Sequence, residues 1–146
     1  ISSNILETLV SIAPDRADFF RKNAQAFDQK IDDLDKHLGE SLTNIKHQNF
    51  YVYHPAFGYL ADRYGLKQKA VEIEGKEPSA KQLARLIDSA RKEGVKVIFV
   101  APQFSRKGAE TVASGIGGVV IEIDPLAADY LGNMRKIGDN IHSGLK

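Results

Sequence analysis

The sequence has 146 residues, 42% hydrophobic and 27% charged, which is enough for one compact domain with its own core. Its 20 Lys and Arg residues nearly balance 19 Asp and Glu residues, and this charge of +1 disfavours nucleic acid and anionic membranes as partners. The absence of cysteine excludes thiolate metal sites, disulfides and cysteine nucleophiles.

Residues 1–38 have the pattern of a helical segment. Their apolar residues recur at three- and four-residue intervals, as in an amphipathic helix: Leu6, Leu9, Val10, Phe19, Phe20, Phe27, Ile31, Leu34 and Leu38. Pro14 predicts a break or a kink in this segment. The sequence opens without an initiator Met or a signal-type stretch, and the first helix has apolar residues without an evident partner. We therefore expect the chain to be part of a longer protein.

After Gly39, short apolar runs alternate with amphipathic stretches. The predicted strands are 49–53, 69–73, 95–100 and 119–123, and the predicted helices are 56–64, 80–93, 105–114 and 128–145. Ser79 and Ser105 are suited to cap two of these helices.

This alternation of strands and helices favours right-handed crossovers and a parallel sheet covered on both faces. We predict an α/β fold, a three-layer α/β/α sandwich with a parallel sheet of about four strands, in residues 39–146. A long linker-type helix in residues 1–38 precedes this lobe.

Ligands of open parallel sheets bind at the C-terminal ends of strands. His54 follows the first predicted strand, Pro102 and Gln103 follow the third, and Asp124 follows the fourth. An imidazole and a carboxylate at one sheet edge could share a metal ion. Alternatively, His54 caps the next helix and Asp124 is a turn residue before Pro125, and spacing alone favours this structural interpretation.

Two enzyme-like patterns are weaker. The glycines of 115–118 could form a phosphate-binding loop, but they end a predicted helix, and Val120 stands where a third glycine would be needed. Ser105, His54 and Asp124 share the predicted sheet edge like a hydrolase triad. No Gly-x-Ser-x-Gly motif surrounds any serine, so we expect no catalytic residues.

The remaining aromatic and histidine residues receive structural interpretations. The aromatic residues around His54 are interpreted as packing, because no basic stripe accompanies them: Tyr51, Tyr53, Phe57 and Tyr59. The other histidines are interpreted as solvated surface residues: His37, His47 and His142.

Four strings stand out by their order and spacing: YHPAFGYLADRYGL at 53–66, EPS at 77–79, IFVAPQFS at 98–105 and IDPLA at 123–127. Together they resemble the C-terminal half of the zinc- and manganese-binding solute-binding proteins of ABC importers. The resemblance covers nearly the whole chain, and residues 20–27 resemble the end of the long helix that joins the two lobes in that family.

The resemblance implies a metal ion held between two lobes, with two histidines from an N-terminal lobe that this chain lacks. His54 matches the first ligand of the C-terminal lobe and Asp124 the second. Histidine at the first position goes with zinc, whereas glutamate goes with manganese or iron, so zinc is expected first and manganese next. With two ligands, this chain alone should bind metal weakly or not at all.

The function implied is capture of a divalent transition metal outside the cytoplasm, in a periplasmic or membrane-anchored protein, and delivery to the permease of an ABC importer. Such a protein breaks no bond and is not an enzyme, and nucleic acid is not a partner. The alternative is a stand-alone α/β domain with hydrolase or nucleotide-dependent activity. A third interpretation is an interaction module descended from such a lobe.

Overall fold

The computed structural model describes residues 1–73 and 75–146. The chain divides into two units, Ile1–His37 and Leu38–Lys146. The first unit contains helix α1 (Ser2–Ile12), a 3-10 turn (Pro14–Arg16) and most of helix α2 (Ala17–Leu42). Pro14 is the first residue of the 3-10 turn, so the predicted break is confirmed.

Helix α1 leaves several of its apolar side chains exposed. It contains no buried residue, and Ile5, Leu9 and Ile12 are exposed. The first unit also exposes Phe19 and Phe27 on helix α2. Across residues 1–73 and 75–146, no helix is long and apolar enough to cross a membrane.

Helix α2 does not end near Gly39, where the sequence indicated a change, but continues to Leu42. Leu38 and Leu42 are buried and stand four residues apart, which places both on one helix face. Burial of two leucines is worth more than the roughly 1 kcal/mol that a glycine within a helix costs, so the helix continues through Gly39.

In its described residues, the second unit is an α/β lobe with four strands and four further helices. The strands are β1 (Asn49–Val52), β2 (Lys67–Ala70), β3 (Val97–Val100) and β4 (Val119–Glu122). The helices are α3 (Gly58–Tyr64), α4 (Ala80–Lys92), α5 (Arg106–Ile116) and α6 (Tyr130–Leu145), and a short 3-10 turn (Thr43–Ile45) follows α2. All strand pairs are parallel in the order β2-β1-β3-β4, which confirms the predicted fold class.

Apolar clusters cover both faces of the sheet. On one face, Phe50 and Phe99 pack with ring centroids 4.9 Å apart, beside residues of α3 and α6. On the other face, Tyr51 and Ile98 pack against residues of α4 and α5. Burial on alternate sides of β1 produces the helix–sheet–helix sandwich. Tyr59 is an exception to the predicted aromatic packing, because it is 96% exposed.

The serines predicted to cap helices do so. The Ser79 hydroxyl accepts a hydrogen bond from the Gln82 backbone N–H in a capping box, and the Ser105 hydroxyl accepts one from the Gly108 N–H. Gly117 ends α5 with a left-handed φ of 66°, so the glycines of 115–118 end a helix as predicted.

Candidate metal site

Strand register decides which residue stands beside His54. Strands β1 and β2 pair residues 18 apart, from Asn49 with Lys67 to Val52 with Ala70. Continued two residues beyond the strands, the same spacing aligns His54 with Glu72. The Glu72 backbone N–H donates to the Tyr53 carbonyl at 3.0 Å, so the pairing extends to this point. Strand β2 begins two residues and ends three residues earlier than predicted, because this pairing sets its limits.

The His54 ring is held by two side chains. Its Nδ1 lies 2.6 Å from Glu72 Oε2, and its ring stacks on Phe104 with centroids 4.1 Å apart at 13°. An ionised carboxylate only accepts hydrogen bonds, so this contact favours a proton on Nδ1 and a lone pair on Nε2. The imidazole is 34% exposed. It can therefore offer Nε2 to a metal ion.

Asp124 is fixed by two donors. Its Oδ1 accepts hydrogen bonds from Gln103 Nε2 at 2.8 Å and from the Leu126 backbone N–H at 2.9 Å. The Gln103 bond, and after it the Leu126 bond, lowers the pKa of Asp124 below its ordinary value. The carboxylate is ionised at neutral pH, as a metal ligand must be. The turn role considered from the sequence is present as well, in the bond to Leu126.

The loop after β3 touches both candidate ligands. Gln103 contacts Asp124, and the adjacent Phe104 contacts His54. Strand β3 lies between β1 and β4, so the two ligand-bearing strands are roughly 10 Å apart, or two strand spacings. His54 and Asp124 therefore emerge at one sheet edge on either side of one loop.

His54 does not cap the next helix, which was the structural alternative for this residue. Helix α3 begins after Phe57. The Phe57 backbone N–H donates to Gln68 Oε1 at 2.8 Å, so Gln68 provides the hydrogen-bond partner at this helix end.

Within the described part of the chain, no three His, Asp or Glu side chains are grouped to hold a metal ion. The lobe offers a pair of zinc-type donors, fewer than the four ligands of a closed zinc site.

The hydrolase arrangement does not form. The Ser105 hydroxyl caps α5, while His54 contacts Glu72 and Phe104.

A cavity of about 300 Å³ lies beside Ser105 and is also lined by Tyr53 and Glu77. Burial first, and then the negative charge of Glu77, raises the pKa of Tyr53, so the tyrosine stays protonated at neutral pH.

The other histidines only partly match expectation. His47 is exposed as predicted, with a left-handed φ of 68°. His37 and His142 are half-buried, so the prediction of solvated surface is wrong for both. Each lies on a helix whose neighbouring residues, Leu38 and Ile141, are buried.

Sequence reasoning missed Glu72 and Phe104 as partners of His54. Glu72 lies inside the strand predicted over 69–73, where the sequence pattern gives it no functional role. The signal for Glu72 was its distance of 18 residues from His54, which has meaning only once β1 and β2 are paired in register. The signal for Phe104 was its position two residues after Pro102 at the same sheet edge.

Fold and strand-end chemistry together define a class: an α/β/α lobe with a parallel sheet whose C-terminal edge carries an imidazole and a carboxylate. Residues 1–144 match the model of one family within that class, described as zinc-uptake complex component A, periplasmic (ZnuA). The chain belongs to this family.

Relatives agree in sequence and in structure. The high-affinity zinc uptake system protein ZnuA of Bacillus subtilis is 41% identical over 78% of this chain and 36% of its own length. The zinc-binding lipoprotein AdcA of Streptococcus pneumoniae (strain ATCC BAA-255 / R6) is 35% identical over 84% of this chain and 25% of its own. A crystal structure of ZnuA superposes with a TM-score of 0.95 at 35% identity, over 99% of this chain and 56% of that one. The chain thus spans between a quarter and just over half of the length of these relatives.

Proposed function

We propose that the protein binds a divalent transition metal, zinc first and manganese next, with His54 and Asp124 as the ligands from this chain. One observation carries the proposal. The imidazole of His54, whose Nδ1 contacts Glu72, and the ionised carboxylate of Asp124 lie at one sheet edge, on either side of the loop that contacts both. Imidazole nitrogen and carboxylate oxygen are ordinary zinc ligands. Imidazole also favours zinc over manganese.

We further propose that the site is completed by ligands outside this chain. Two donors leave a tetrahedral zinc ion half coordinated. The relatives are much longer than the matched region, which supports an N-terminal lobe that supplies the other ligands. In this arrangement residues 1–38 are the end of an interlobe helix, and residues 39–146 are the C-terminal lobe. The exposed apolar side chains of α1 suit a contact with further protein.

The metal is cargo in this proposal. The protein holds the ion outside the cytoplasm, free or membrane-anchored, and releases it to the permease of an ABC importer without making or breaking a covalent bond, so it is not an enzyme. The periplasmic description of the family and the lipoprotein name of the pneumococcal relative support this location. The comparisons give no support to a hydrolase or a nucleotide-dependent enzyme.

The test is a competitive zinc titration of the complete gene product and its His54→Ala variant. We expect affinity to fall at least tenfold, about 1.4 kcal/mol, because one ligand is lost. The control is His47→Asn, an exposed histidine before β1, where asparagine tolerates the left-handed backbone. Equal zinc affinity of wild type and His54→Ala would refute the site.

A further inference from the structure

We propose that Glu72 is a positioning residue for His54, which holds the Nδ1–H so that Nε2 is the nitrogen presented to the metal. The inference rests on the proposed function, because it concerns how one of its ligands is oriented. Histidine ligands are commonly oriented by a carboxylate on the second ring nitrogen, and such partners affect metal affinity.

The contact is short and sheltered. Glu72 Oε2 lies 2.6 Å from Nδ1, and the glutamate side chain is 9% exposed while the imidazole is 34% exposed. A carboxylate this buried needs a hydrogen-bond partner. His54 provides that partner, and the exposed part of the pair is the imidazole.

The backbone fixes Glu72 and the residue before His54. Glu72 N–H donates to the Tyr53 carbonyl, and Val71 N–H donates to the Val52 carbonyl at 2.9 Å, so the pairing of the two chain segments extends to Tyr53 and Glu72. Phe104 stacks on the imidazole and restricts its plane. The phenylalanine thus sets the plane of the ring, and the glutamate sets which nitrogen faces outward.

Direct ligation by Glu72 does not fit this geometry. Two atoms bound about 2.0–2.1 Å from a tetrahedral zinc ion stand roughly 3.3 Å apart. The 2.6 Å between Oε2 and Nδ1 is instead the length of a charge-assisted hydrogen bond. A zinc ion therefore has no place between these two atoms, and Nε2 is the nitrogen that remains.

The experiment uses Glu72→Leu and Glu72→Gln in the complete gene product, with Glu77→Gln as the matched control. Glu77 is a nearby carboxylate, 3.5 Å from the Tyr53 hydroxyl. Zinc affinity is measured by competition. The tautomer of His54 in the metal-free protein is read from long-range proton–nitrogen NMR of the imidazole, and urea unfolding checks that each variant folds.

Glu72→Leu should weaken zinc binding about 10- to 100-fold. In this variant the Nδ1–H tautomer of His54 should no longer be the main form. Glu72→Gln should stay within about threefold of wild type, because its amide oxygen can accept the same Nδ1–H. Glu77→Gln should match wild type. This rescue by the amide separates positioning from a purely electrostatic effect.

Three outcomes would overturn the inference. They are wild-type zinc affinity in Glu72→Leu, equal losses of zinc affinity in Glu72→Gln and Glu72→Leu, and a His54 tautomer that is the same in Glu72→Leu as in wild type. If His54→Ala still loses affinity in those cases, the proposed metal site stands and only the role of Glu72 fails. Wild-type affinity in His54→Ala would instead refute the metal site itself.

Discussion

The two ends of the sheet both contain a hydrogen-bonded carboxylate, but the carboxylates are satisfied differently. Where β1 begins, Glu93 accepts hydrogen bonds from Asn49 Nδ2, the Tyr51 hydroxyl, Lys69 Nζ and the Ser89 hydroxyl, at 2.6 to 3.1 Å. Both of its oxygens are engaged, and the Lys69 ammonium neutralises its charge. Glu93 is therefore part of the structural framework.

At the opposite end, the donors to Asp124 are neutral and both bind the same oxygen. Both donors leave Oδ2 unused, and Glu72 contacts Nδ1 of His54 rather than Nε2. A carboxylate surrounded by protein donors and a cation, as at Glu93, stabilises the fold. A carboxylate held by neutral donors on one side retains the capacity to bind a cation.

The position of Glu93 supports this distinction. Glu93 follows the last residue of α4, where a negative charge opposes the helix dipole by roughly 0.3–1 kcal/mol. Hydrogen bonds to a charged group contribute about 1.5–3 kcal/mol, which exceeds that cost. The glutamate is tolerated there because Asn49, Tyr51, Lys69 and Ser89 surround it.

Replacing Glu93 should change the free energy of unfolding strongly. Glu93→Ala removes the acceptor of four donors and should lower the free energy of unfolding by about 2 kcal/mol. Zinc affinity should not change, because the site lies at the other end of the sheet. Urea denaturation and zinc competition on the same variant measure the two quantities. A loss of affinity without a loss of stability would contradict the assignment.

A smaller effect is expected at the metal end. Gln103→Ala removes the side-chain donor that fixes Asp124 and should weaken zinc binding about tenfold. Its stability should change little, since Gln103 is exposed. Gln82→Ala, in the capping box of α4, is a control that should lose stability and keep zinc affinity. Unchanged affinity in Gln103→Ala would show that Asp124 does not depend on this bond.

The smallest effect is the pH dependence at Glu93. Lys69 first, with the Tyr51 and Ser89 hydroxyls, lowers the pKa of Glu93 below its ordinary 4.5. A lowered folded-state pKa gives stabilisation that is complete above 4.5 and is lost as the pH falls through the folded value. The free energy of unfolding of the wild type should therefore exceed that of Glu93→Gln by about 1 kcal/mol at pH 7. The difference should be smaller at acidic pH. A difference that stays constant down to pH 3 would contradict this role.

The local parts of the fold could be predicted from sequence. Strand and helix order, the break at Pro14 and the caps at Ser79 and Ser105 depend on short-range patterns, and these predictions are confirmed. Exposure of Tyr59 and partial burial of His37 and His142 were missed. Burial depends on which helix faces pack inward, and that packing is set by residues distant in sequence.

The candidate site divides in the same way. His54 and Asp124 could be chosen because strand ends are the expected ligand positions, and both reach the same sheet edge. Their partners could not be chosen, because Glu72 depends on strand register and Phe104 on the course of the loop after β3. That His54 and Asp124 bind metal stays a prediction.

The most direct test of the difference between the sheet ends is anomalous diffraction at the zinc edge from crystals of the complete, zinc-loaded protein. We expect one peak about 2.0–2.2 Å from His54 Nε2 and from an Asp124 carboxylate oxygen, with Glu72 still hydrogen-bonded to Nδ1. A peak on Nδ1, a peak beside Glu93, or a zinc ion coordinated without His54 would contradict it.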